Sequence, residues 1–166
     1  MNRKEKKIIK LFSILFIVIF TATSALFINK DKIVRKNKFV APPMDMNAVA
    51  GSPSDIDDNL TYQEISVKDD YTVYLCATPK INNNKLTIYF TSSKKNKDLL
   101  KIRILDENNS LLGESNLIEP NSYIKEIGIN RELEDNELIT IKVMSYEKDT
   151  YYSNGSFKLN VFVKKV

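Results

Sequence analysis

Cys76 is the only thiol in this 166-residue chain, and His and Trp are absent. A nucleophilic cysteine needs a neighbouring base to lower its pKa, and imidazole, the usual one, is missing here. Within YTVYLCAT, Cys76 alternates with Thr72, Tyr74 and Thr78, opposite Val73 and Leu75. That placement predicts a packing role. The Ser and Thr hydroxyls likewise have only Lys or carboxylates to draw on, and no Ser–Lys pairing is expected to activate one. Asp55, Asp57, Asp58 and Asn59 form the densest cluster of oxygen ligands, of the kind calcium accepts in irregular loops. The spacing lacks the turn glycine and the bidentate Glu of an EF-hand, so a solvated linker end is expected. RELEDNE, from Arg131 to Glu137, reads as a strand connection without a bound ion. The inventory points to no enzyme, no metal, no cofactor and no small-molecule substrate.

Recognition of another macromolecule is the chemistry left, and aromatic and apolar side chains would carry it. Tyr74 and Tyr89 are expected to face outward on adjacent strands, and EKDTYYSNGS places Tyr151 and Tyr152 in a long loop. FVAPPMDMNAVAGSP, from Phe39 to Pro53, adds Phe39, Val40, Met44, Met46 and Val49. Pro42 and Pro43 exclude helix and keep the segment extended at low ordering cost. Three roles fit it: a plain spacer, a strip lying along its own domain, or a peptide added to a partner's groove or sheet edge. The candidate contact set is therefore Phe39, Met44, Met46, Val49, Tyr74, Tyr89, Tyr151 and Tyr152. The basic run KKNK, Lys94 to Lys97, is expected to be a solvated loop tip, with an anionic wall polymer or lipid as its alternative neighbour.

Charge shows what holds these residues in place. The net charge of +4 conceals a strong asymmetry: residues 1–40 carry ten Lys or Arg against Glu5 and Asp31. Residues 41–60 carry four Asp and no base, and residues 61–166 balance fifteen bases with fifteen acids. The basic pI thus belongs to the flanks of an apolar segment, and nucleic-acid binding loses its main support. That segment, Leu11 to Ile28, has eighteen residues without a charge. Extended back to Ile8 it spans roughly 30 Å as a helix, enough to cross a bilayer. A cleaved signal peptide ending near Thr23-Ser24-Ala25 is the rival reading, but Leu26, Phe27 and Ile28 continue the apolar run past that cut. Five basic residues flank each side, so the positive-inside count is a tie. The short tail is expected in the cytoplasm, with the remainder outside. The expected organisation is a basic tail (1–10), a transmembrane anchor (8–28), an extended linker (29–60) and one domain (61–166).

After Leu60 short alternating runs bounded by turn residues predict strands with one buried face. TYQEISV offers Tyr62, Ile65 and Val67, and YTVYLCAT offers Tyr71, Val73, Leu75 and Ala77. LTIYFTS turns Leu86, Ile88 and Phe90 inward and Thr87, Tyr89 and Thr91 outward, with PKINNNK as the intervening hairpin loop. LLKIRIL buries Leu100, Ile102 and Ile104, LITIKVMSY buries Ile139, Ile141 and Val143, and FKLNVFVKK buries Phe157, Leu159, Val161 and Val163. SLLGESNLI and YIKEIGI are weaker strands. Seven or eight strands in about 105 residues predict an all-β, immunoglobulin-like antiparallel β-sandwich.

The run ILDENNSLLGESNLIEPNSYIKEI resembles a stretch, D-E-x-G-x-x-L-G-x-(S/T)-x-L-I-x-P-G-x-Y, of small membrane-anchored Ig-like proteins of Gram-positive bacteria, some from conjugative or other mobile elements. The similarity extends over the APPMDMNAVAGSP region and the YYSNGSFKLNV end. Asn109 and Asn121 stand where that pattern has Gly, and Asn also accepts positive φ. LIEPNSY is similar to a tyrosine corner, in which Tyr123 would bond back to the backbone. The family has no known activity, so the resemblance implies a fold and a location and adds no site. Together with the absence of catalytic groups, it leads to a single-pass, extracytoplasmic module making protein contacts in the cell envelope, in a conjugation or secretion complex. The alternative is an inhibitor or chaperone-like domain that caps another envelope protein.

Overall fold

Alternation along the strands becomes two packed sheets in the computed structural model, which describes residues 39–67 and 70–166 together with Asn2 and Phe16. The basic tail, the 8–28 anchor and residues 29–38 of the expected linker lie outside the described residues, apart from Asn2 and Phe16. No helix among the described residues is long and apolar enough to cross a membrane. The chain divides into two compact units, Met1–Val40 and Ala41–Val166. All that follows concerns the second unit unless stated.

Eight strands of four residues or more carry the sandwich: β2 (Tyr62–Ser66), β3 (Thr72–Cys76), β5 (Lys85–Ser92), β6 (Leu99–Leu105), β7 (Leu111–Glu114), β8 (Ser122–Gly128), β9 (Leu138–Tyr146) and β10 (Ser153–Phe162). Three short pieces complete it: β1 (Val49–Ala50), β4 (Lys80–Asn82) and β11 (Lys164–Lys165). One sheet runs β1-β8-β5-β3-β2, with β4 on β5 and β11 on β4; the other runs β10-β9-β6-β7. Neighbours pair antiparallel except β11 with β4. Leu86, Ile88 and Phe90 from the first sheet meet Leu100, Ile102, Ile104, Ile139, Ile141 and Val143 from the second, all fully buried. Each such side chain contributes about 1.5–3 kcal/mol by leaving water. These faces follow directly from the period of two.

The departures have local causes. PKINNNK is not all loop: Lys80–Asn82 is β4, and Asn83 and Asn84, with φ of 46° and 59°, make the tight turn into β5. Two successive positive φ values suit the right-handed twist of a hairpin, and Asn tolerates them. Asn109 and Asn121 also take positive φ, 61° and 58°. On β5, Thr87 faces Glu126 and Phe90 faces Ile124, so one extra residue bulges between them. Tyr89, inside that bulge, takes φ of 49°. The KKNK tip also holds a buried group: the Asn96 side chain accepts from Thr72 N (2.8 Å) and donates to Thr72 O (2.7 Å). It therefore closes the end of β3 as a strand backbone would.

The linker expectation is revised over its described part, because the unit begins at Ala41 and not at Thr61. Asp45 N donates to Leu117 O at 2.8 Å, and the Asp45 carboxylate accepts from Asn116 N (2.8 Å) and Asn47 N (2.9 Å). Val49 and Ala50 then pair with Tyr123 and Ser122 as β1. Of the three roles open to FVAPPMDMNAVAGSP, lying along its own domain is the one its residues from Ala41 onward take. Residues 51–60 continue across the outer face of the first sheet. There Ile56 and Leu60 pack with Cys76, Tyr89, Tyr62 and Tyr123 in a second, smaller apolar cluster. The outer face of the sheet has a cover of its own.

Candidate functional site

That cover disposes of the thiol. Cys76 is fully buried, and burial pushes its pKa up to about 12. A thiol so placed is protonated at neutral pH and out of reach of a substrate. The spacing Ser-x-x-Lys does occur, at Ser92–Lys95, Ser122–Lys125 and Ser145–Lys148. Extended backbone turns residues three apart to opposite faces, however, and each hydroxyl is engaged elsewhere. Ser92 Oγ accepts from Asn96, Ser122 donates to Glu119 O, and Ser145 donates to Asp98. None of these three serines is hydrogen-bonded to the lysine three residues on.

The oxygen cluster is similarly occupied. Asp57 caps the short 3-10 turn Asp58–Leu60, accepting from Asn59 N at 3.0 Å, and its other oxygen pairs with Lys80. In RELEDNE, Glu137 pairs with Arg131 and accepts from Glu134 N at 2.9 Å. Among the described residues no group of three or more His, Cys, Asp or Glu is placed to hold a metal ion.

Four carboxyls, Asp57, Glu64, Glu114 and Glu137, stand below their ordinary values. The Lys80 hydrogen bond lowers Asp57, the Tyr74 hydroxyl lowers Glu64, and the Arg131 hydrogen bond lowers Glu137. At Glu114 burial pushes upward, but Lys101 and Arg103 outweigh it. A depressed carboxyl adds stability above its unfolded-state pKa, and that stability is lost as pH falls through the folded value. Titration of these four groups should therefore leave the thermal midpoint unchanged from neutrality to roughly pH 5 and lower it in more acid solution. The loss should be on the order of 1 kcal/mol for Glu114 and Glu137 together. Calorimetry between pH 7 and 2 checks this, and a midpoint that rises on acidification contradicts it.

The expected contact residues fall in separate places. Met44, Met46 and Val49 are exposed along the strip that leads into β1, Met46 at 97% of its maximum. Phe39 is exposed in the other unit. Tyr74 is half-buried; its ring stacks on Tyr62 with centroids 5.9 Å apart, and its hydroxyl donates to Glu64 at 2.8 Å. It borders an open polar groove of about 320 Å³ with Ser93, Lys94 and Lys95. Tyr89 lies on the outer face of the first sheet but is not exposed: the 51–60 cover leaves it 7% exposed, its hydroxyl donating to Asp55 O at 3.3 Å. Thr91, also expected outward, is buried as well and receives the Tyr62 hydroxyl at 2.7 Å. Tyr151 and Tyr152 sit in the β9–β10 turn, closed by Tyr151 N to Glu147 O at 2.8 Å, with Tyr152 exposed. Among the described residues Tyr123 makes no corner bond; its ring packs on the second apolar cluster.

Sequence reasoning missed the outer edge of β10. Among the described residues this ten-residue strand pairs only with β9, and no described strand lies along the N–H and C=O groups of its other side. The other sheet edges are shorter: β7 has four residues, β2 five and β1 two. The inward residues Phe157 and Leu159 pack on the core but are only partly covered. A long strand was legible in FKLNVFVKK; its place at an edge was not, because strand order is a matter of tertiary pairing. No family model matches the chain, and comparison with curated proteins gives no relative.

Proposed function

We propose that this chain is a membrane-anchored, extracytoplasmic binding module with an immunoglobulin-like sandwich, which makes protein contacts in a bacterial envelope complex without catalysing a reaction. The contact is strand addition at the outer edge of β10. The observation that carries this reading is the ten-residue strand that, among the described residues, is paired on one side only. Main-chain hydrogen bonds along such an edge supply affinity, and alternate side chains supply selectivity. The apolar segment 8–28 supports the anchor, and the resemblance to membrane-anchored proteins of Gram-positive bacteria, some from conjugative or other mobile elements, supports the location. A capping role toward a single envelope protein would use the same edge.

Site-specific photocrosslinking tests the proposal in intact host membranes. A photoreactive residue at Asn160, exposed on β10, should give a discrete protein adduct, while one at Gln63, exposed on the edge strand β2 of the other sheet, should not. Equal labelling from both positions, or none from Asn160, would sink the edge as the contact. An adduct with one enzyme whose activity falls on binding would favour capping over assembly.

A further inference from the structure

Reading across the second sheet, Lys158 on β10 lies opposite Lys142 on β9, Lys142 opposite Arg103 on β6, and Arg103 opposite Glu114 on β7. Three cations thus stand side by side on the outward face, and like charges directly opposite one another are destabilising. Lys101, two residues before Arg103 on that face, adds a fourth. The only carboxylate in the row is Glu114, whose Oε2 is already shared by Arg103 Nε at 2.8 Å and Lys101 Nζ at 3.0 Å. Lys158 reaches only the neutral amide oxygen of Asn109, at 3.0 Å, and Lys142 has no acidic partner among the described residues. The row runs out, still positive, at the free edge of β10.

We infer that the strand received by β10 is acidic on its outward face, with apolar residues alternating on its inward face. This rests on the edge reading above and gives the partner a chemistry. An added strand would lie about 4.8 Å beyond β10, as β9 does on the other side. Its outward side chains would stand beside Ser156, Lys158 and Asn160, so an Asp or Glu in the middle position completes the row with the missing counter-charge. Its inward side chains would stand beside Phe157, Leu159 and Val161 and cover the two that the core leaves partly open. One edge therefore asks for acid on one face and hydrocarbon on the other.

Two peptides test this on the full chain in detergent micelles: an extended segment alternating Val and Glu, and its Val and Gln twin. The acidic peptide should bind at least tenfold more tightly at low salt, lose that advantage at high salt, and slow hydrogen exchange along β10. K142Q with K158Q should remove the advantage while the free protein unfolds at the same or a higher temperature, since a repulsion has gone. Equal binding of both peptides with β10 protected would overturn the acidic preference and leave the edge reading standing. Binding of neither would overturn both, and acidic binding without protection of β10 would overturn strand addition.

Discussion

Replacing Gly113 with alanine is expected to destabilise the sandwich by about 3 kcal/mol, the upper part of the range for overpacked sites. Gly113 lies on β7 opposite Ile104, where the edge of the second sheet meets the end of β8 from the first. A Cβ added there would stand 2.2 Å from Gly128 O and 3.1 Å from Ile129 Cδ1. The obstacle is backbone and cannot swing away. Nor can that backbone retreat at little cost, because Ile129 N donates to Asn84 O at 2.8 Å and Asn130 N to Leu112 O at 2.9 Å. The Asn130 amide adds a bond to Leu111 O at 2.9 Å. Gly113→Ala must part these links or tilt β7 away from β6. For a unit of this size the thermal midpoint should drop by roughly 10 °C. Gly128→Ala is the matched control, since a Cβ there meets nothing within 4 Å. It should stay within about 0.5–1 kcal/mol of the parent. Denaturant unfolding of both variants decides the matter: equal losses would mean that generic strand entropy, and not the inter-sheet contact, sets the requirement at position 113.

This contact could not be read from SLLGESNLI, where Gly113 looks like an interruption of a weak strand. Its meaning comes from a second sheet element fifteen residues further on. The same division runs through the molecule. Leu100, Ile102 and Ile104 were legible because each strand's alternation records which face is dry, with no knowledge of its neighbours. The face of Tyr89 was legible but its burial was not, since the residues 51–60 that cover it show no strand period. Lys80–Asn82 reads as loop because three residues cannot display a period at all; they are a strand through their partners β5 and β11. Asn96 sits among lysines like any solvated turn residue, and only the fold brings Thr72 to it. The site suffers most from this limit. Lys101, Arg103, Lys142 and Lys158 each look like ordinary outward positions, and their alignment exists only once the register of β6, β9 and β10 is fixed.

Leu60→Ala is expected to cost about 3 kcal/mol, and its main effect should be local exposure of Cys76. Leu60 is 2% exposed although it stands in a segment with no strand period, because residues 51–60 bury it against Cys76 and Tyr89 on the outer face of the first sheet. This cover is tied down at several points. Gly51 N donates to Asn121 O at 2.7 Å, the Tyr89 hydroxyl to Asp55 O at 3.3 Å and Thr78 N to Leu60 O at 3.3 Å, and Asp57 pairs with Lys80. Leu60 is the buried apolar side chain of the cover, so shortening it removes apolar contact with Cys76 and Tyr89 while the main core of Phe90, Ile102 and Ile141 keeps its contacts. Cys76 reports the difference. Fully buried and protonated, its thiol can meet a reagent only when the cover lifts or the whole domain unfolds. If the cover opens by itself, Leu60→Ala should accelerate labelling of Cys76 by roughly a hundredfold at neutral pH, and mild denaturant should hardly change that rate. If the cover and the sandwich are one cooperative unit, labelling should instead follow global unfolding, with the same steep dependence on denaturant. The first outcome would make residues 51–60 a separable flap over the first sheet; the second would make them as much a part of the fold as β5.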